Sequence, residues 1–157
     1  MFRITGRSDG SSSQWNDIPV LVQHGGLADA QALVEAGAAQ GSITWALQLV
    51  DHGYDVWLPN NRGTRYSNTN DMDGEWTDEE RWNFSWAEMG LYDQPAFFEK
   101  IREVTQQEKL TYIGMSQGSS QMLYAMAKDI DYYTERLHRF IGIAPVYDAS
   151  LILEDLF

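Results

Sequence analysis

The sequence predicts an α/β fold, a mostly parallel sheet with helices on both faces, and three observations carry that expectation. Four short apolar runs, residues 18–22, 54–58, 110–113 and 140–143, lack strict alternation and read as strands buried on both faces. Stretches of helical period lie between them, and strand–helix alternation is the pattern of right-handed crossovers that cover a parallel sheet with helices. With 157 residues, 43% of them hydrophobic and 22% charged, the chain can also bury one packed core.

The helices follow in order. Ser42 offers an N-cap, Ile43, Trp45, Ala46, Leu49 and Val50 recur at helical spacing, and Gly53 stands where a left-handed residue would stop the helix. A second helix is expected from about Ser85 through Met89 toward Val104, interrupted at Pro95, whose ring and missing N–H break an α-helical ladder. A third starts at Ser116 or Gln117, with Met122, Leu123, Met126 and Ala127 on one face. Six tryptophans between Trp15 and Trp86 point to a dense core in the first two thirds. Residues 11–13 and 36–41 read as loops. No repeat and no long linker divides the chain, so residues 1–157 are expected to form one domain.

Charge and composition exclude several functions. Eleven basic against 23 acidic side chains give a net charge of −12, which repels nucleic acid and anionic lipid, so a nucleic-acid partner is not expected. The absence of cysteine removes disulfides, thiolate metal sites and cysteine nucleophiles. No run of eighteen apolar residues occurs, and charge within residues 1–7 precedes any apolar stretch, so neither a membrane span nor a secretory signal is expected. The compartment stays open. Residues 71–80 hold six carboxylates, and Asp71, Asp73, Glu75 and Glu80 approach calcium-loop spacing around Gly74. Thr69 occupies the first ligand position, however, and no helix is expected upstream, so a solvated loop without metal is the reading.

The residues that can carry chemistry centre on Gly114-Met115-Ser116-Gln117-Gly118, a G-x-S-x-G sequence after one strand and before one helix. A turn this sharp strains the serine backbone and crowds main chain against the flanking positions, where glycine avoids the clash. The serine hydroxyl is then raised above the sheet edge, and the following helix N-terminus favours negative charge beside it. His24-Gly25-Gly26 follows the first of the four strands, and an HGG turn there supplies the second oxyanion amide in hydrolases built on such an elbow. The expected donors are the backbone amides of Gly26 and Gln117. His24 is then a structural residue of the turn, since a general base must stand opposite the nucleophile and not beneath the oxyanion. Arg62 and Arg65 could hold an anion, but they read better as bridges to loop carbonyls and nearby carboxylates. Asp93 and Glu88 are expected to make structural bonds of that kind.

Four segments together resemble the acid lipase family of α/β hydrolases: residues 19–27 (PVLVQHGGL), 53–67 (GYDVWLPNNRGTRYS), 84–96 (FSWAEMGLYDQPA) and 109–119 (KLTYIGMSQGS), with a shorter echo at 143–146 (IAPV). The resemblance implies hydrolysis of a lipid carboxylic ester through attack by Ser116, with Gly26 and Gln117 as oxyanion donors and no metal or organic cofactor. Two positions depart from the family, which usually has histidine before the serine and leucine after His-Gly; here they are Met115 and Gly26.

A serine hydroxyl needs a histidine to take its proton and an acid to orient that histidine, in the chain order Ser, Asp or Glu, His for elbow hydrolases. After Ser116 the sequence offers His138 with Asp129, Asp131, Asp148 and Asp155, and His138 precedes Asp148, the wrong order for that pair. The resemblance places the acid, the histidine and a lid further on, and makes residues 2–5 the family's second strand. The expectation is therefore a partial α/β-hydrolase fold, the N-terminal half of the core without the C-terminal half and lid. Its open sheet edge would be covered by that missing half or by another protein chain. The alternative function is a catalytically inactive, hydrolase-derived structural or interaction subunit of a larger complex.

Overall fold

The structure is a computed structural model describing residues 1–6, 16–35, 44–68 and 77–146. Five strands form one sheet: β1 (Phe2–Ile4), β2 (Asn16–Gln23), β3 (Tyr54–Leu58), β4 (Leu110–Met115) and β5 (Leu137–Ile143), in the order β1-β3-β2-β4-β5. β1 runs antiparallel on β3, with Arg3 opposite Trp57, and every other pairing is parallel. The helices are α1 (Ala30–Glu35), α2 (Trp45–Asp51), α3 (Asp78–Trp82), α4 (Trp86–Glu88), α5 (Gln94–Thr105), α6 (Gln117–Lys128) and α7 (Ile130–Arg136), with a π-helical turn, Met89–Asp93, between α4 and α5.

Side chains of successive strand residues point to opposite faces, so the apolar runs of β2 and β3 feed two cores at once. Val20, Val22, Val56, Leu58 and Ile113 meet Ala30, Leu33, Ala46 and Val50 of α1 and α2 on one face. Leu21, Trp57, Leu110 and Tyr112 meet Phe98, Ile101, Met122, Ala125 and Tyr133 of α5, α6 and α7 on the other. Helices therefore cover both faces, as the alternating pattern requires.

Several expectations change in detail. The α2 cap is Thr44, whose hydroxyl accepts from the Leu47 N–H at 3.4 Å; Ser42 and Ile43 lie outside the described residues. Gly53, at φ 83°, does end that turn. The break in the second helix falls just before Pro95. The Gln94 N–H reaches back five residues to the Met89 carbonyl, and this wide turn accommodates a proline that cannot donate to the preceding turn. On α6 the inward face is Gly118, Ser119, Gln121, Met122 and Ala125, while Leu123 and Ala127 are exposed.

The tryptophan cluster is not the core. Trp57 is buried and Trp45 packs against the first core, but Trp82 and Trp86 are 53% and 46% exposed, and the second core draws Leu110, Tyr112, Met122 and Tyr133 from beyond the first two thirds of the chain. β5 also departs from a strand buried on both faces, because Ile141 and Ile143 remain 40% and 38% exposed. Trp15, Trp76, the loops at 11–13 and 36–41, and the acidic residues 71–75 lie outside the described residues. What is described of that acidic stretch is not a loop: Asp78, Glu79 and Glu80 open α3, where Thr77 and Glu80 form a reciprocal cap.

Candidate active site

β4 leads into α6 through Ser116, which adopts φ 51° and ψ −121°, a combination that side-chain-bearing residues rarely take. A serine before a helix ordinarily turns its hydroxyl onto the first amides as a cap. Here Ser116 makes no such side-chain bond, and the helix start is fastened by its carbonyl, which accepts from Ser119 N–H at 2.9 Å and Ser120 N–H at 3.3 Å. The Ser116 N–H donates to the Ile143 carbonyl at 2.8 Å, tying the turn to the end of β5.

The flanking glycines are explained by contact. A Cβ on Gly114 would stand 2.7 Å from the Ser119 nitrogen, and one on Gly118 would stand 2.6 Å from the His24 carbonyl oxygen. No side chain fits either gap. The turn after β2 passes directly beside the serine, since a Cβ on Gly25 would lie 3.3 Å from Ser116 Cβ and 3.8 Å from its Oγ. At Gly26, where the family has leucine, a Cβ would meet Gln117 Oε1 at 2.7 Å, so the missing side chain gives room to the Gln117 amide. Ser116, Gly25, Gly26 and Gln117 are thus brought together, and the α6 N-terminus, whose first amides have no intrahelical acceptor, points at the same spot.

His24 is 2% exposed. Its Nε2 accepts the Asn61 N–H at 3.3 Å, which leaves Nδ1 to donate to the Gly25 carbonyl at 2.8 Å. Burial lowers its pKa below the usual histidine value, outweighing the opposite effects of that carbonyl and of Asp29. With both ring nitrogens engaged inside the turn, His24 is a brace. His138 sits on β5 level with the start of β4, roughly 16 Å below Ser116 along the strand direction at ~3.3 Å per residue. Asp148 and Asp155 lie outside the described residues.

The arginines take structural partners. Arg62 pairs with Asp93 through Nε at 2.8 Å and Nη2 at 2.7 Å, while its backbone N–H donates to the same carboxylate at 2.9 Å. Arg65 pairs with Asp29 at 2.8 Å. Glu88 accepts from the Ser85 N–H at 2.7 Å and caps α4. Between these loops and the elbow lies an open cleft of about 700 Å³, lined by Gly26, Leu27, Arg62, Trp82, Phe84 and Gln117 among others. That volume is in the range of small-molecule sites. Among the described residues no cluster of three metal-ligating side chains is found, and no helix is long and apolar enough to cross a membrane.

Sequence reasoning missed a buried amide chain beneath the elbow. Gln23, Asn61, Gln94 and Gln121 are all at most 1% exposed, and the Gln94 Nε2 donates to Gln121 Oε1 at 3.0 Å and to Gln23 Oε1 at 3.3 Å. Helical and strand glutamines read as surface residues; only their placement beside the motif segments could have hinted otherwise.

Comparison with known proteins matches residues 18–157 to the α/β hydrolase fold family. The chain is 38% identical over 128 residues to a probable lipase of Schizosaccharomyces pombe, covering 82% of this chain and 28% of that protein. It is 37% identical over 133 residues to Lipase 1 of Drosophila melanogaster (84% and 29%) and 31% identical over 150 residues to Lipase member J of Homo sapiens (96% and 40%). It therefore spans well under half the length of these relatives. Among solved structures, a thermophilic esterase from Thermogutta terrifontis superposes with a TM-score of 0.53 at 19% identity, covering 98% of this chain and 49% of that one. The chain belongs to the α/β hydrolase family, and the likeness it carries within that family is to lipases.

Proposed function

We propose that residues 1–157 form the N-terminal half of a single hydrolase domain and carry the nucleophile and oxyanion hole of a lipase-like serine ester hydrolase. In this reading Ser116 attacks the carbonyl carbon of a lipid carboxylic ester. The backbone amides of Gly26 and Gln117 donate to the developing oxyanion, the alcohol leaves, and water releases the acyl group from Ser116. Gly114 and Gly118 keep the elbow tight. The observation that carries the reading is the left-handed Ser116, its hydroxyl unused as a cap and flanked by the glycine turn after β2.

The histidine and acid that would activate Ser116 are supplied by sequence corresponding to the rest of the longer relatives or by a second chain. The exposed apolar side chains of β5 favour such a cover, which would lie along that strand. A fluorophosphonate probe tests this, applied to the chain alone and to the longest protein its reading frame encodes. Labelling of Ser116 that disappears in Ser116→Ala supports the hydrolase. Failure to label in either form returns the inactive-subunit reading.

A further inference from the structure

We propose that Met89, at the head of the π-helical turn, is a positioning residue that couples the two arms of the oxyanion hole; this rests on the reading of Gly26 and Gln117 given above. The thioether of Met89 accepts from Gln117 Nε2 at 3.3 Å and from Gln121 Nε2 at 3.1 Å. Gln121 Oε1 accepts from Gln94, Gln94 also donates to Gln23 Oε1, and Gln23 Nε2 donates to Asn61 Oδ1 at 3.2 Å. The Asn61 N–H then holds His24 Nε2 at 3.3 Å, and His24 Nδ1 holds the Gly25 carbonyl. One continuous polar chain therefore runs from Gln117, beside Ser116, down through the interior and up to the glycine turn that carries Gly26.

The π-helical turn puts Met89 at the Gln117 end of this polar chain. One wide turn brings Met89 over Gln117 and Gln121 at its start and Asp93 under Arg62 at its finish, a placement a regular α-helix would rotate away. Gly90 makes the approach possible, because a Cβ there would stand 2.9 Å from the Gln121 carbonyl oxygen. Sulfur is a weak acceptor, but here it takes two amide donors of half-buried and buried side chains that would otherwise lack partners on that side.

Met89→Leu keeps the volume and removes the acceptor; Met89→Gln keeps an acceptor on a chain of similar length. NMR order parameters of the backbone N–H groups of Gly26 and Gln117 in the full 157-residue chain need no catalysis. In the leucine variant both are expected to fall from a rigid value of about 0.85 toward 0.6, with Tyr112 in β4 unchanged, and in the glutamine variant both should recover. In whichever form labels at Ser116, the chain alone or the longer protein, fluorophosphonate labelling should slow by about threefold to tenfold in the leucine variant at saturating probe, with half-saturation unmoved and the rate regained by glutamine. Order parameters unchanged in the leucine variant, or a glutamine variant as disturbed as leucine, would reduce Met89 to packing and overturn the coupling. Failure to label in both the chain alone and the longer protein would remove the Ser116 reading, while the order parameters would still decide the role of Met89.

Discussion

The first turn of α6 meets the end of β2 backbone to backbone: Gly118 lies so close to His24 that a Cβ would stand 2.6 Å from the histidine carbonyl oxygen. The elbow and the glycine turn are built against each other and cannot be separated by a side chain. Gly118→Ala should therefore destabilise the chain by about 1–3 kcal/mol, the usual cost of overpacking, and Gly114→Ala should do the same. Urea denaturation of both variants measures this. A loss too small to resolve would mean the two turns are looser than their contact implies.

His24 gives stability a pH dependence whose sign is fixed by burial. Its folded pKa is lowered, so as pH falls below about 6.5 the unfolded chain takes up a proton that the folded chain refuses. Stability contributed by neutral His24 is complete above that pH and declines as pH drops through it toward the lower folded pKa. The decline has a limiting slope of about 1.4 kcal/mol per pH unit for one proton. His24→Gln should weaken the protein at pH 7.5 and flatten this part of the profile. Urea melts of both proteins between pH 7.5 and 5 check it, and equal slopes would show that the ring is protonated in place.

Asp93, 8% exposed, accepts hydrogen bonds from the backbone N–H and Nε of Arg62 and an ion-pair contact from its Nη2, and so fixes the loop after β3 against the π-helical turn. Arg62→Ala should cost about 1.5–3 kcal/mol because it leaves a buried carboxylate with only the residue-62 backbone N–H and no counter-charge, and Arg62→Lys should recover only part, having one nitrogen where the guanidinium brings two. Thermal or urea unfolding reads this directly. Full recovery by lysine would show that charge alone, without the paired geometry, holds the loop.

Much of this arrangement is legible in the sequence. The run 54–58 matches β3 residue for residue, and the G-x-S-x-G sequence falls at the strand–helix turn its glycines demand. Composition misled where cover comes from elsewhere. β5 has the apolar sequence of a buried strand, yet its side chains stay exposed, and Trp82 and Trp86 lie outside the core although large aromatics usually signal one. The π-helical turn was invisible because it shifts hydrogen bonds by one residue without disturbing the local apolar pattern. The buried Gln94 and Gln121 were missed for a related reason: an amide on a helix reads as surface until its partners are placed.

The most direct measurement of the central claim is a crystal structure of the full-length protein from this reading frame after reaction with an alkyl phosphonate. The account expects phosphorus bonded to Ser116 Oγ and the phosphonyl oxygen about 2.7–3.1 Å from the backbone nitrogens of both Gly26 and Gln117. A phosphonate on any other residue, or an oxygen turned away from either amide, would contradict it.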